Sequence, residues 1–426
     1  MKKSYYITVC QMLILLILPR FSIAQGLLSA TPEQVGMSSA RLARITPVMQ
    51  KYVDSHRIPG CVTLIARHGK IVHMESYGQT AFGTGEPMTE NIIFRIASMT
   101  KPITAVAAMM LYEEGCFLLS DPIGKYIKEF SNMQVIKSSN NGDSFELVPA
   151  QGEITIRHLL NHTSGITYGS GKLSEFYTNA GVSSGLQSTD GMIGDMVKKL
   201  AGLPLQHNPG EEWSYGLSND VIGYFIEIVS GMTLDEFFRE RIFKPLRMND
   251  TYFFPPDEKL SRLATYYIKN KNGGLDRQSQ ESVDAMYTGP HTYFSGGGGL
   301  CSTVKDYARF SQMLLNGGEL DGVRILSRKT VELMTHDTTG GIDILRESDD
   351  TRATHGDRYG FGVGIRFYPG DIESVGTFGW GGAYHTLFWI DPKEELIGIF
   401  MSQIRGEGDK SQHRKFRILT YQAIID

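Results

Sequence analysis

Cysteine is scarce in this chain, with four in 426 residues. One of them, Cys10, falls in an apolar N-terminal stretch, which leaves Cys61, Cys116 and Cys301. An odd number cannot all pair within one molecule, so a disulfide-built scaffold is excluded. Cys61 and Cys116 sit in apolar surroundings and are expected as buried free thiols. Charge of one sign is also lacking. The formal net charge is −4 with acids and bases interspersed, and no basic run is long enough to track a phosphate backbone. That argues against a nucleic-acid partner. The glycine run Ser295-Gly296-Gly297-Gly298-Gly299-Leu300 lacks the Gly-Lys-Ser or Gly-Lys-Thr ending of a phosphate loop. No repeat of fixed period occurs.

Hydrophobic residues at 41% and charged residues at 21% describe an ordinary globular chain, long enough for one large domain or two smaller ones. The N-terminus stands apart. Lys2 and Lys3 precede an apolar core from Ile7 to Leu18, and Ser22-Ile23-Ala24 offers small residues at the positions a signal peptidase reads. The core is too short to span a bilayer comfortably. Residues 1–24 are therefore expected to be a signal peptide, with the mature protein exported to the periplasm or secreted.

Ser98 lies three residues before Lys101, at the mouth of an apolar run from Ile103 to Leu111 that Gly115 closes. The run is helix-forming by composition and apolar on almost every side, so it reads as a buried helix. Residues three apart on a helix share a face, so Lys101 would stand beside the Ser98 hydroxyl. Burial removes hydration from the lysine and disfavours its charged form. A neutral amine beside a serine hydroxyl can take its proton and activate a weak nucleophile. Chance alone yields about one or two Ser-x-x-Lys patterns in such a length, so the pattern needs partners.

A second copy, Ser302-Thr303-Val304-Lys305, precedes an ordinary amphipathic helix. Thr303 and Asp306 there have the spacing of a helix cap. His158 and His162 have the spacing of a zinc pair, but Leu159 replaces the glutamate a zinc peptidase needs and no third ligand is evident. Capping and packing account for them, and neither a metal nor an organic cofactor is expected. No Gly-x-Ser-x-Gly elbow surrounds Ser98, which leaves lysine as its natural base. Tyr215, in a loop after Pro209-Gly210-Glu211-Glu212-Trp213, could relay a proton. Phe378-Gly379-Trp380-Gly381-Gly382-Ala383 could be a glycine-flanked strand edge that exposes a backbone N–H to an oxyanion.

Strand patterns gather near both ends. Cys61–Arg67 and Lys70–Ser76 flank the turn dipeptide His68-Gly69, after a helix from about Ser39 to Val53. Phe361–Ile365, Thr377–Trp380, Thr386–Ile390 and Leu396–Ser402 read as later strands, and Gln412–Ile425 as a closing helix. Between about Ser120 and Ser261 the pattern is helices and long loops. Within it, Tyr168–Thr189 is rich in Gly, Ser and Thr and reads as an exposed or lid-like loop. The expected fold is mixed α/β (α+β): an antiparallel sheet flanked by helices, with a mainly helical insertion. Residues 25–426 would form one catalytic unit, with the sheet part at about 25–115 and 290–426 and the helical part at about 116–289.

Taken in order, these stretches resemble the serine β-lactamase and penicillin-binding superfamily, whose signature pairs Ser-x-x-Lys with two later motifs. The resemblance is closest to the branch holding class C β-lactamases, D-alanyl-D-alanine carboxypeptidases and esterases. Ile156–Gly165 and Ser295–Leu300 support it, and it spans about residues 30 to 405. It implies a β-lactamase/transpeptidase-like fold. It also implies Ser98 as nucleophile, Lys101 as general base and Tyr215 as an aid to proton transfer. Trp380-Gly381-Gly382 would stand for the third motif, and the N–H groups of Ser98 and Ala383 for the oxyanion hole. Two departures matter. Leu217 stands where the lactamases carry Asn (Asn219 is two places late), and Trp380 replaces a cation that would pair with a β-lactam or peptide carboxylate. Both changes remove polar partners of a charged amide, and a site without them discriminates poorly for it. Hydrolysis or acyl transfer of small esters is therefore expected. β-Lactam or D-Ala-D-Ala peptide hydrolysis is the alternative, and a non-catalytic binding or sensor protein on the same fold is a further one. The expected partner is a small-molecule ester or amide, with no obligate protein partner evident.

Overall fold

The computed structural model describes residues 27–426 except 139–144, 183–185, 187–190, 280–290, 345–356, 370 and 407–410. The expected signal peptide and Cys10 lie outside the described residues. Among the described residues no helix is long and apolar enough to cross a membrane.

The main sheet has eight strands, drawn from both ends of the chain. In chain order they are β1 (Leu28–Ser29), β2 (Gly60–Arg67), β3 (Lys70–Gly78), β4 (Arg358–Tyr359), β5 (Gly364–Ile365), β6 (Phe378–Gly382), β7 (Thr386–Asp391) and β8 (Leu396–Met401). In space they run β1-β3-β2-β8-β7-β6-β5-β4, antiparallel except for the β1–β3 pair. The β2–β3 hairpin turns at His68 and Gly69, whose φ values of 50° and 73° are those a two-residue type I′ turn demands. The N-terminal hairpin joins the C-terminal strands through β2 and β8, with Val62 opposite Met401 and Arg67 opposite Leu396.

Every residue of β2 is buried, so both faces of the sheet centre are covered. Side chains alternate between the faces. On one face lie Val62, Leu64 and Ala66 with Ile397 and Ile399. Helix α1 (Thr100–Glu113) and helix α2 (Val304–Leu315) belong to that core. On the other face lie Cys61, Ile65, Trp389, Leu396 and Phe400. The helices Ile45–Asp54 and Ser411–Tyr421 cover that side. The expected first helix is broken, with a short turn Ser39–Leu42 ahead of Ile45.

Three expectations are corrected here. Phe361–Val363 is not strand; it is a bend that lets the Gly362 N–H donate to Leu160 O at 3.3 Å, and pairing resumes only at Gly364. The middle of the chain is not only helix and loop, since Gln134–Ser138 pairs with Phe145–Pro149 and Tyr267–Lys269 with Leu275–Arg277. Cys116 is exposed, whereas Cys61 and Cys301 are buried. Cys116 follows the left-handed Gly115 (φ 74°) that ends α1, and this cap turns the chain outward.

Candidate active site

Ser98 sits in a 3-10 turn, Ala97–Met99, that leads directly into α1. Ala97 holds φ at 43°, an uncommon value for a residue with a Cβ, so the turn is strained where it presents Ser98. The strain is held by packing. The Ile96 N–H donates to Leu300 O at 2.9 Å, and the Leu300 N–H donates to Thr100 Oγ1 at 3.1 Å. On the other side, Gly382 at the end of β6 lies against Ile96. A Cβ on Gly382 would stand 2.3 Å from Ile96 O and 2.2 Å from Thr386 Oγ1, so only glycine allows this approach. Ala383, the next residue, is exposed.

Lys101 has no solvent exposure. Its ammonium donates to Ser98 Oγ at 3.1 Å, Tyr168 OH at 3.2 Å and Gly297 O at 2.6 Å. Three N–H donors thus meet three acceptors, which offsets the several kcal/mol it costs to dehydrate a charge of this kind. Nζ also lies 4.7 Å from the centre of the Tyr215 ring, within cation–π range. The charge state departs from the expectation of a neutral amine. Burial pulls the lysine pKa down, but the phenol oxygens of Tyr168 and Tyr215 and the carboxylate of Asp220 outweigh it, and the pKa is raised. The bonds to Ser98 Oγ, Tyr168 OH and Gly297 O favour the ammonium form.

Tyr215 is brought to this group from the loop before helix α3 (Ser218–Ser230). Its hydroxyl accepts a hydrogen bond from Trp380 Nε1 at 3.0 Å, which ties the second motif to β6. The Tyr215 ring stacks on Trp213 at 5.8 Å and meets Tyr168 edge-on at 5.6 Å. Trp380 also meets Tyr359 edge-on at 5.1 Å. The cleft above Ser98 and Lys101 is thus walled by aromatic rings.

Ser98, Lys101, Tyr215 and Trp380 therefore converge, and β6, which ends in Gly381 and Gly382, packs against the Ala97–Met99 turn, with Ala383 the next residue in the chain. Asn219 does not join them. It is fully buried and its amide meets His162 Nε2 at 3.1 Å. His162 is buried below the aromatic wall, 4.9 Å from the Tyr215 ring, and burial together with the Lys101 charge holds its pKa well below the usual histidine value. His158 instead caps its own helix, its Nδ1 accepting the Thr155 N–H at 3.2 Å. The second Ser-x-x-Lys is a helix start. Thr303 Oγ1 accepts the Asp306 N–H at 3.2 Å, Ser302 bonds Thr251 at 2.8 Å, and Lys305 pairs with Glu90 at 3.0 Å.

Two contributors were not foreseen. Tyr168 was read as part of a loose loop, yet its hydroxyl reaches Lys101 while 36% of its surface stays open at the cleft mouth. The segment after it also folds, with a helix over Ser174–Ala180, while 183–185 and 187–190 lie outside the described residues. The second is the glycine run, whose Gly297 carbonyl takes the shortest of the three lysine bonds. Its sequence signal was present in the supporting phrase Ser295–Leu300, but nothing in the spacing said which carbonyl points inward.

Comparison with known proteins shows the family and the fold. A family model described as "Beta-lactamase" matches residues 45–422. Protein Rv1367c of Mycobacterium tuberculosis is 33% identical over 366 residues, covering 83% of this chain and 88% of that protein. Esterase EstB of Burkholderia gladioli is 28% identical over 405 residues, covering 89% and 95%. Among solved structures, "EstCE1, a hydrolase with promiscuous acyltransferase activity" superposes with a TM-score of 0.75 at 26% identity, covering 90% of this chain and 99% of that one.

Proposed function

This chain belongs to the beta-lactamase family, and we propose that it serves there as a serine esterase that also transfers acyl groups. The observation that carries the reading is the bond from Trp380 Nε1 to Tyr215 OH at 3.0 Å. It fills, with an uncharged aromatic contact, the place where a β-lactam or peptide carboxylate would need a cation. The aromatic wall suits an apolar acyl or alkoxy group.

In the proposed sequence Ser98 Oγ attacks the ester carbonyl carbon, and its proton passes to Lys101 in the amine form. The carbonyl oxygen takes the electron pair and faces the N–H groups of Ser98 and Ala383. When the pair returns, the C–O bond to the alkoxy group breaks. That group leaves as an alcohol with a proton relayed through Tyr215 or Tyr168 from Lys101. Water or a second alcohol then attacks the acyl-serine by the reverse steps, giving acid or a new ester. Because the resting Lys101 is an ammonium, turnover should climb with pH into the alkaline range, as the amine fraction grows.

The test is a substrate panel on the protein lacking residues 1–24. It holds a short-chain nitrophenyl ester, a chromogenic cephalosporin and a D-Ala-D-Ala peptide, and mass spectrometry follows the acyl group. The expected outcome is one acyl group, on Ser98, and preference for the ester. Preference for the cephalosporin would overturn the reading in favour of a β-lactamase, and no labelling by a fluorophosphonate in favour of a binding protein. Export with loss of residues 1–24 belongs to the same proposal, and N-terminal sequencing of protein recovered outside the cytoplasm tests it.

A further inference from the structure

The mechanism above uses Lys101 but leaves its environment unexplained. Asp220, in the first turn of α3, is fully buried and touches none of the reacting atoms. Its Oδ1 accepts from Ser295 Oγ at 2.5 Å and from the Gly297 N–H at 3.3 Å. Its Oδ2 has no hydrogen-bond partner and faces the Gly297 Cα, where an added Cβ would stand 2.4 Å away. The carboxylate thus sits against one residue of the glycine run, at the N–H and Cα of Gly297. That same residue's carbonyl accepts the Lys101 bond at 2.6 Å.

We propose that Asp220 is a positioning residue of this site, one that fixes the Gly297 peptide so that its carbonyl holds Lys101 against Ser98, and that supplies the buried negative charge opposing the lysine. The proposal rests on the reading of Ser98 as nucleophile and Lys101 as base. The partners of the carboxylate favour its ionised form. Both donors point at Oδ1, and a proton on Oδ2 would find only a Cα. Burial raises the Asp220 pKa, while the Ser295 bond, the Lys101 charge and the Gly297 N–H oppose that rise. The other titratable neighbours are few. Tyr168, Tyr215 and His162 surround Lys101, and Tyr293, whose pKa is raised by burial and by the Asp220 charge, faces Asp220.

Removing the charge should therefore do two separable things. It should loosen the carbonyl that seats Lys101, and it should lower the lysine pKa, so the acid limb of reactivity moves to lower pH. A residue that only held the fold together would reduce the active fraction and leave the limb in place.

The experiment measures the rate at which a fluorophosphonate labels Ser98 from pH 7 up to about pH 11.5, a range that reaches past the ordinary lysine value, a readout independent of the natural substrate. For Asp220→Asn the expected result is a rise with pH that levels off about one pH unit lower than in the wild type, the size of effect a nearby charge exerts, and at a plateau rate lowered about tenfold. A limb that stays in place, with or without loss of rate, overturns the proposal. If Asp220→Asn fails to fold by circular dichroism, Ser295→Ala replaces it. Losing that donor makes Asp220 less ionised, so a smaller downward displacement is expected, and an unmoved limb again overturns the proposal. A wild-type protein that does not label overturns both this inference and the reading it rests on. A wild type that labels beside an unmoved variant overturns this inference alone.

Discussion

On one side of the sheet, the helices Ile45–Asp54 and Ser411–Tyr421 cover a core whose largest side chain, Trp389, fills the space above Gly398 and meets Phe416 edge-on at 5.5 Å. Its buried polar side chains are paired, Arg67 with Glu394 and Asp426, Thr63 with His73 and Gln412 with His385. On the other side, α1 and its neighbours also form a dense apolar core, but Lys101, Asn219, Asp220 and His162 are buried there with it. Among the described residues, buried nitrogen or oxygen atoms without partners include Trp389 Nε1 on the first side and His162 Nδ1, Asn219 Oδ1 and Asp220 Oδ2 on the second. The backbone at Ala97 is strained on this side too. Each such feature subtracts from stability. The first side spends its burial on stability, and the second gives part of it up to hold charged groups in place. Substitutions should therefore separate the two sides cleanly, with activity lost on one and stability on the other.

The sharpest break is Ser98→Ala. Turnover of a nitrophenyl ester should fall by at least about a thousandfold, while the protein stays folded and loses no more than about 1–3 kcal/mol, the cost of leaving one Lys101 donor unpaired. Retained turnover would remove the distinction between the two sides. Trp389→Ala is the counterpart on the quiet side. It should cost about 3–5 kcal/mol in urea unfolding, with kcat per folded molecule unchanged; a loss of kcat would show that the sides are mechanically joined. Next comes His73, half-buried in β3 with Nε2 2.8 Å from Thr63 Oγ1, whose pKa burial lowers to about 4. The unfolded chain takes up that proton near pH 6.5 and the folded chain only near pH 4. Stability is therefore complete above about pH 6.5 and falls as the pH drops to about 4, by no more than about 3 kcal/mol. His73→Gln should flatten that slope, and a slope unchanged in the variant would assign the loss to other groups. The smallest effect is expected at Tyr168→Phe. It removes one acceptor of Lys101 and should lower kcat about tenfold with little change in melting temperature. An unaltered kcat would confine the relay to Tyr215.

The quiet side was legible almost throughout. Short apolar runs in Cys61–Arg67 and Leu396–Ser402 marked the strands, His68-Gly69 marked the turn, and amphipathic spacing marked the last helix. In such a layer local pattern and tertiary role agree. The catalytic side was legible where chemistry left a spacing, at Ser98 with Lys101, and where resemblance supplied a motif, at Tyr215 and Trp380. It was illegible where a residue's role depends on a contact across the chain. Tyr168 looked like loop composition because what draws its hydroxyl inward is Lys101, 67 residues away. Asp220 looked like an ordinary acidic first turn of a helix, because its partners Ser295 and Gly297 lie 75 and 77 residues further on. The three acceptors that meet Lys101 were illegible for the same reason, since two of them come from Tyr168 and Gly297, 67 and 196 residues away.

The closure of the sheet through β2 and β8 also constrains how the molecule is made. Arg67, at the end of β2, donates to the carbonyl of Glu394, 327 residues later, and to the side chain of the last residue, Asp426. A ribosome adding about 5–20 residues per second needs on the order of tens of seconds to cover that distance. Throughout that interval β2 has no neighbour on its inner edge, and α1, already synthesised, has no finished sheet beside it. The nascent chain thus carries an open strand edge at β2 until β8 has been made.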